Sequence, residues 1–198
     1  MLCATLFVAC TRGDPPKYTG AVDSVEPIPP APVRDADIDV TPDVWIDPGT
    51  LPQTRDMPAP TGAVETRAAA LWDAIVNDDP DRAMPFFFPV GAYEQTKAIT
   101  NPAVDWKHRL VGNYLRDIHA LHRKLGSKAS SAKLVGLEVP TENAQWVPPG
   151  DEGNKTGYFR VYGSRLRYEI DGRSAAFDVS SLISWRGEWY VVHLSGFK

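Results

Sequence analysis

An α+β domain, with three N-terminal helices packed on a curved antiparallel sheet and cone-like in outline, is the fold class this sequence predicts. Three observations predict it. Apolar residues recur at helical spacing between residues 62 and 126, and at a spacing of two after Lys128. Asp171-Gly172 and Arg186-Gly187 divide the second half into hairpins. Eleven of the 18 prolines fall between residues 11 and 60, which sets that stretch apart from a domain over 61–198.

The first helix is expected in AVETRAAALWDAIVND, which is rich in strong helix formers and carries an apolar stripe at Ala70, Leu71, Ala74 and Ile75. Asp79 followed by Pro80 is a cap and first-position signal, so DPDRAMPFFFP reads as a short second helix ended by Pro85 or Pro89. Asn101-Pro102 opens a long third helix. Gly126 closes it, with Arg123 and Lys124 suiting the negative end of its dipole. Strands follow in AKLVGLEV, in AQWV, and in GYFRVYG with SRLRYEI, the last two forming one long strand or two pieces kinked near Gly163. RSAAFDVSSLISW runs back and EWYVVHLS closes the sheet.

Residues 61–198 carry 17 Lys/Arg against 16 Asp/Glu, a balance that offers no general attraction to nucleic acid. Both cysteines, Cys3 and Cys10, lie in the first ten residues, so the domain has neither a disulfide framework nor a thiolate metal site. MLCATLFVAC, an apolar run ending in Ala9 and Cys10 before a polar Pro-rich segment, resembles the C-terminal half of a bacterial lipoprotein signal. That resemblance implies acylation of Cys10 and a membrane-anchored, extracytoplasmic protein, either periplasmic or on the cell surface. Phe7 stands where Leu is usual, and no cationic segment precedes the run; a start codon further upstream would supply one. Residues 11–60, with four Lys/Arg against nine Asp/Glu, then form an extended acidic tether. VWID, residues 44–47, is too apolar for a solvated tether and is a candidate docking arm.

LWDAIVNDDPDRAMPFFFP resembles the opening helix pair of the nuclear transport factor 2-like superfamily, which includes the SnoaL-like proteins. GEWYVVHLSGF is similar to its last strand. The resemblance covers residues 62–198 and implies the cone fold. Its members include isomerases, dehydratases and cyclases as well as many domains without activity, so the fold leaves the function open. The chain also resembles bacterial lipoproteins.

Three of the four histidines lie in DWKHRLVGNYLRDIHALHRKLG. On a helical wheel at about 100° per residue, His108, His119 and His122 share the border between the apolar and polar faces. His119 and His122 are three apart and would need a third ligand, such as Asp178 or His193, to hold a metal. HxxH alone is a weak signal, so no metal or other cofactor is predicted. In a cone, helix residues at the sheet border face the pocket. His119 or His122 there would be a general base, with Asp178 or Tyr93 orienting it or supplying a proton. Half-buried hydrogen bonding is the commoner role for such histidines. Arg109, Arg116 and Arg123 repeat every seven residues and form a stripe able to hold an anionic ligand or an acidic partner surface, as an ordinary charged outer face also would. His193 is a further ligand-binding candidate at the core edge, on the face of Trp189 and Val191 by strict alternation.

The sequence thus predicts a lipoprotein whose domain binds a small apolar ligand or an envelope protein, with a SnoaL-like proton-transfer enzyme as the alternative. Its expected partners are the lipid bilayer, through Cys10, and that ligand or protein, but not nucleic acid.

Overall fold

The computed structural model describes residues 46–195. Cys10 and the first two residues of VWID lie outside them. Helix α1 spans Ala63–Asn77 and begins where Glu65 accepts a hydrogen bond from the Gly62 N–H at 3.1 Å. It ends at Asp78, whose left-handed backbone (φ 54°) returns its N–H to the last carbonyls. The apolar stripe is wider than Ala70 to Ile75: Val64, Ala68, Leu71, Ala74 and Ile75 are all buried.

The expected short second helix is a 3₁₀ helix, Pro80–Phe86. Pro85 withholds a donor and disfavours α geometry at Met84, which keeps the segment from continuing. The three phenylalanines that follow are buried: Phe86 and Phe88 at 0% exposed, Phe87 at 2%. A helix absent from the sequence reading, α2, spans Val90–Thr96. Gly91 made it illegible by propensity, yet Gly91 is required, since a Cβ there would meet the Gly49 carbonyl oxygen at 2.8 Å.

The expected single helix after Asn101 is interrupted. Helix α3 spans Pro102–Asp105, a π-helical segment covers Trp106–Val111, and α4 spans Gly112–Leu125. A wheel at constant angle per residue therefore does not describe the whole stretch.

The sheet has five antiparallel strands: β1 Lys133–Glu138, β2 Gln145–Val147, β3 Tyr158–Ile170, β4 Arg173–Trp185 and β5 Glu188–His193. They lie in the order β1-β3-β4-β5, with β2 also pairing with β3. Asp171-Gly172 and Arg186-Gly187 make the tight turns, all four residues at positive φ. The fold is α+β, with an open sheet. Leu71, Ile75, Ile118, Leu166 and Val179, each 0–1% exposed, form the apolar core. Each such side chain contributes about 1.5–3 kcal/mol on burial. Trp72, Tyr168 and Phe177 extend the core, their ring centroids 4.7–6.5 Å apart. Phe87 stacks on Tyr114 at 4.5 Å. The Phe88 N–H donates to the Val191 carbonyl at 3.0 Å, which occupies the outer edge of β5.

Residues 46–60 pair with the domain rather than continuing as tether. Among its described residues the arm is anchored by backbone and by Gln53, and Ile46, the described apolar residue of VWID, is 58% exposed. The Trp185 indole donates to the Pro48 carbonyl at 2.8 Å, and the Gln95 amide to the Gly49 carbonyl at 2.6 Å. Gln53 bonds Ser184, Gly157 and Arg186.

Candidate functional site

A cavity of about 310 Å³ opens at one end of the helix-covered face of the sheet. Its apolar walls are Phe88, Leu110, Ile183 and Val192, and Tyr93, Tyr158 and Tyr162 add three phenols. Charge enters from Lys97, Arg109, Glu152 and Arg160, and His193 closes the β5 side.

Two backbone irregularities aim side chains here. The first is the π-helical segment, which carries Arg109 and Leu110 into the wall. The second is a bulge in β5. Leu182 pairs with Val191 and Ser181 with His193, so Val192 is the extra residue. Strict alternation would put His193 with Trp189 and Val191; the bulge instead sets it opposite Ser181, and both line the cavity with Val192.

The helix side is pre-organised by one network. Tyr93 donates to an Asp105 carboxylate oxygen at 2.6 Å, and Arg109 grips the same carboxylate with Nε at 2.8 Å and Nη2 at 2.6 Å. Nη2 also reaches the Tyr93 hydroxyl at 3.0 Å. The guanidinium holds the Asp105 carboxyl below its usual range. Burial, reinforced by the bond to Asp105, pushes the Tyr93 phenol up to about 12, so it stays protonated at neutral pH. Lys97 follows α2 and is fixed by an antiparallel bridge to Asn154. Its ammonium donates to the Glu152 carbonyl at 3.3 Å, and among the described residues it forms no ion pair. Burial pushes its pKa down and the Arg109 charge acts in the same direction, while the Glu152 and Asp105 carboxylates oppose them.

The sheet side is built on alternation along β3. Tyr158, Arg160 and Tyr162 share one face, with the Arg160 guanidinium 4.8 Å from the centre of the Tyr162 ring. Arg160 pairs with Glu152 and holds that carboxyl below its ordinary value. The Arg160 Nε is buried without a hydrogen-bond partner among the described residues. His193 is half-buried. Burial pushes its pKa below the ordinary 6.5, Arg109 and Lys97 push the same way, and Asp117 opposes them.

The sequence-derived candidates divide. Tyr93, Arg109 and His193 meet in this cavity; His119, His122, Asp178, Arg116 and Arg123 do not line it. His119 bonds the Asp78 carboxylate at 2.7 Å, and His122 donates from Nδ1 to the Ile75 carbonyl at 2.8 Å. Both thereby tie α4 to the C-terminal end of α1, where unpaired carbonyls and the helix dipole favour donors. His108 lies exposed on the π-helical segment. Asp178 is 86% exposed and 3.7 Å from Arg165. Arg116 bonds Asn113 on its own helix, and Arg123 is exposed.

Lys97, Glu152 and Arg160 were not singled out from the sequence. Tyr158-x-Arg160-x-Tyr162 was legible as a cation between two aromatics on one strand face. Lys97 and Glu152 stand in irregular segments and carried no comparable signal.

Among the described residues no three His, Cys, Asp or Glu side chains converge as metal ligands, and no helix is long and apolar enough to cross a membrane. Neither the sequence nor the fold matches a family model, a curated protein or a solved structure at a significant level.

Proposed function

We propose that this chain is a membrane-anchored extracytoplasmic lipoprotein whose α+β domain binds a small, largely apolar molecule in the cavity between α2, the π-helical segment and strands β3–β5. The observation that carries the binding reading is the convergence of two backbone irregularities on one apolar-walled cavity. Such distortions cost regular hydrogen bonding and concentrate where a side chain must be re-aimed. At about 310 Å³ the cavity stands at the small end of ordinary ligand sites. The anchoring reading rests on MLCATLFVAC. The cone outline of the nuclear transport factor 2-like superfamily belongs to the same proposal, supported by helices that precede an antiparallel sheet and cover one of its faces.

Full-length chain titrated with 2-naphthalenemethanol, a neutral apolar probe, tests the binding reading by calorimetry. Binding should be measurable and should be lost in Val192→Trp, which fills the cavity. Equal binding by that variant would place the ligand elsewhere. Mass spectrometry of membrane-extracted protein tests the anchor: an unmodified Cys10 with Met1 still attached would reject it.

A proton-transfer enzyme is the second reading, and His193 is the observation that favours it. Its depressed pKa keeps the imidazole neutral and basic at pH 7 inside the cavity. The cavity's carboxylate, Glu152, is committed to Arg160 and Tyr158, which ranks binding first. His193→Gln abolishing solvent deuterium exchange into a bound naphthyl ketone would reverse that ranking.

A further inference from the structure

We propose that the ligand is an aromatic monocarboxylate, its ring held between the aromatic walls and its carboxylate at Lys97, Arg109 and His193. The proposal rests on the binding reading above and names the ligand class.

The charge balance of the cavity argues for one negative charge. Lys97, Arg109 and Arg160 line it against a single carboxylate, Glu152. Arg160 pairs with Glu152, and Arg109 is gripped by Asp105, which is not part of the lining. Of these three lining cations, Lys97 is the one that forms no ion pair with a described residue. A half-buried ammonium is costly where the carboxylates that act on it, Glu152 and Asp105, do so from beyond ion-pair distance and are already paired with arginines. A ligand carboxylate within hydrogen-bond reach compensates it. A dianion such as a phosphate monoester would bring a second charge towards Glu152 and Asp105, which argues for a monoanion.

The titrating groups point the same way. Lys97 and His193 are both held below their ordinary values, chiefly by burial, and each also feels the positive charge of Arg109. These three groups therefore sense one another at one end of the cavity. An arriving anion relieves that repulsion and draws a proton onto His193, which gains a second N–H donor. The buried, unpartnered Arg160 Nε adds a further donor on the β3 side.

The body of the ligand follows from the walls. Phe88, Tyr93, Tyr158 and Tyr162 present four aromatic side chains. Planar rings pack against such walls by offset or edge contacts and lose little conformational freedom on binding.

The test compares three isosteric probes on the full-length chain at neutral pH: 2-naphthoate, 2-naphthalenemethanol and 2-naphthylmethylamine. Naphthoate should bind roughly tenfold or more tighter than the alcohol, the scale of one charge-assisted hydrogen bond, and the amine weakest. Lys97→Gln, checked by circular dichroism for an intact fold, should bring the naphthoate-to-alcohol ratio close to one. Equal affinities for acid and alcohol, or tighter binding of the amine, would overturn the carboxylate assignment while leaving a binding cavity in place. Failure of all three probes to bind would overturn the binding reading itself, and this assignment with it.

Discussion

Replacing Gln53 with Ala should destabilise the whole domain, although Gln53 lies on the Pro-rich side of residue 61. Its Nε2 donates to the Ser184 carbonyl at 3.0 Å and the Gly157 carbonyl at 3.3 Å, and its Oε1 accepts from the Arg186 N–H at 2.7 Å. These bonds tie the arm to the β4–β5 turn and to the start of β3. A net contribution of about 0.5–1.5 kcal/mol per bond, with the 3.3 Å contact at the weak end, sums to about 2–3 kcal/mol. For a domain of this size that is a fall in Tm of about 5–10 °C. Urea unfolding of full-length chains, followed by tryptophan fluorescence, measures it: the midpoint should drop with the slope m unchanged. Gln53→Glu sets a carboxylate oxygen against the Ser184 and Gly157 carbonyl oxygens where the amide donated, so it should destabilise at least as much as Gln53→Ala. A change under about 0.5 kcal/mol, the usual range for a surface substitution, would refute the claim that the arm belongs to the fold.

Four further outcomes follow from the same physics. His122→Ala should cost about 1 kcal/mol in urea unfolding, because the Ile75 carbonyl loses its donor, and should leave naphthoate binding unchanged. Gly157→Ala should cost about 1–3 kcal/mol, since its Cβ would lie 2.4 Å from Cζ2 of Trp146; a neutral effect on the urea midpoint would contradict that close approach. His193 is depressed in the folded state, so the unfolded chain binds its proton first and stability falls as pH drops from about 6.5 towards the folded pKa. His193→Gln should remove that part of the slope in pH-dependent unfolding. The carboxylate of Asp78 works in the opposite sense. Its hydrogen bond from His119 lowers its pKa, so its contribution is complete above 3.8 and lost as pH falls through the folded value.

Much of the sheet was readable because its signals are local. Asp171-Gly172 and Arg186-Gly187 supply the positive φ values that two-residue hairpins need, and these fix the ends of β3, β4 and β5. Helix α1 was readable from helix formers and periodicity. Helix α2 was not, because Gly91 is set by its contact with the arm rather than by propensity. The site was legible by residue type and not by placement. Tyr93, Arg109 and His193 were singled out, but their convergence depends on a π-helical segment and a bulge, which break the periodicities on which pattern reading relies. Seven-residue spacing grouped Arg109 with Arg116 and Arg123; the π-helical segment separates them. The alternation of Tyr158, Arg160 and Tyr162 carried a readable signal. The pairing of Arg160 with Glu152 depends on a turn whose left-handed residue, Glu152 itself at φ 53°, no sequence rule specifies.

The most direct test of the account is residue-resolved NMR of the full-length chain titrated with 2-naphthoate. Saturable shift changes are expected at Lys97, Arg109, Leu110, Tyr158 to Tyr162, Val192 and His193, with none at Ile75, Asp78, His119 or His122. Changes centred on His119 and His122, or no saturable change anywhere, would contradict it.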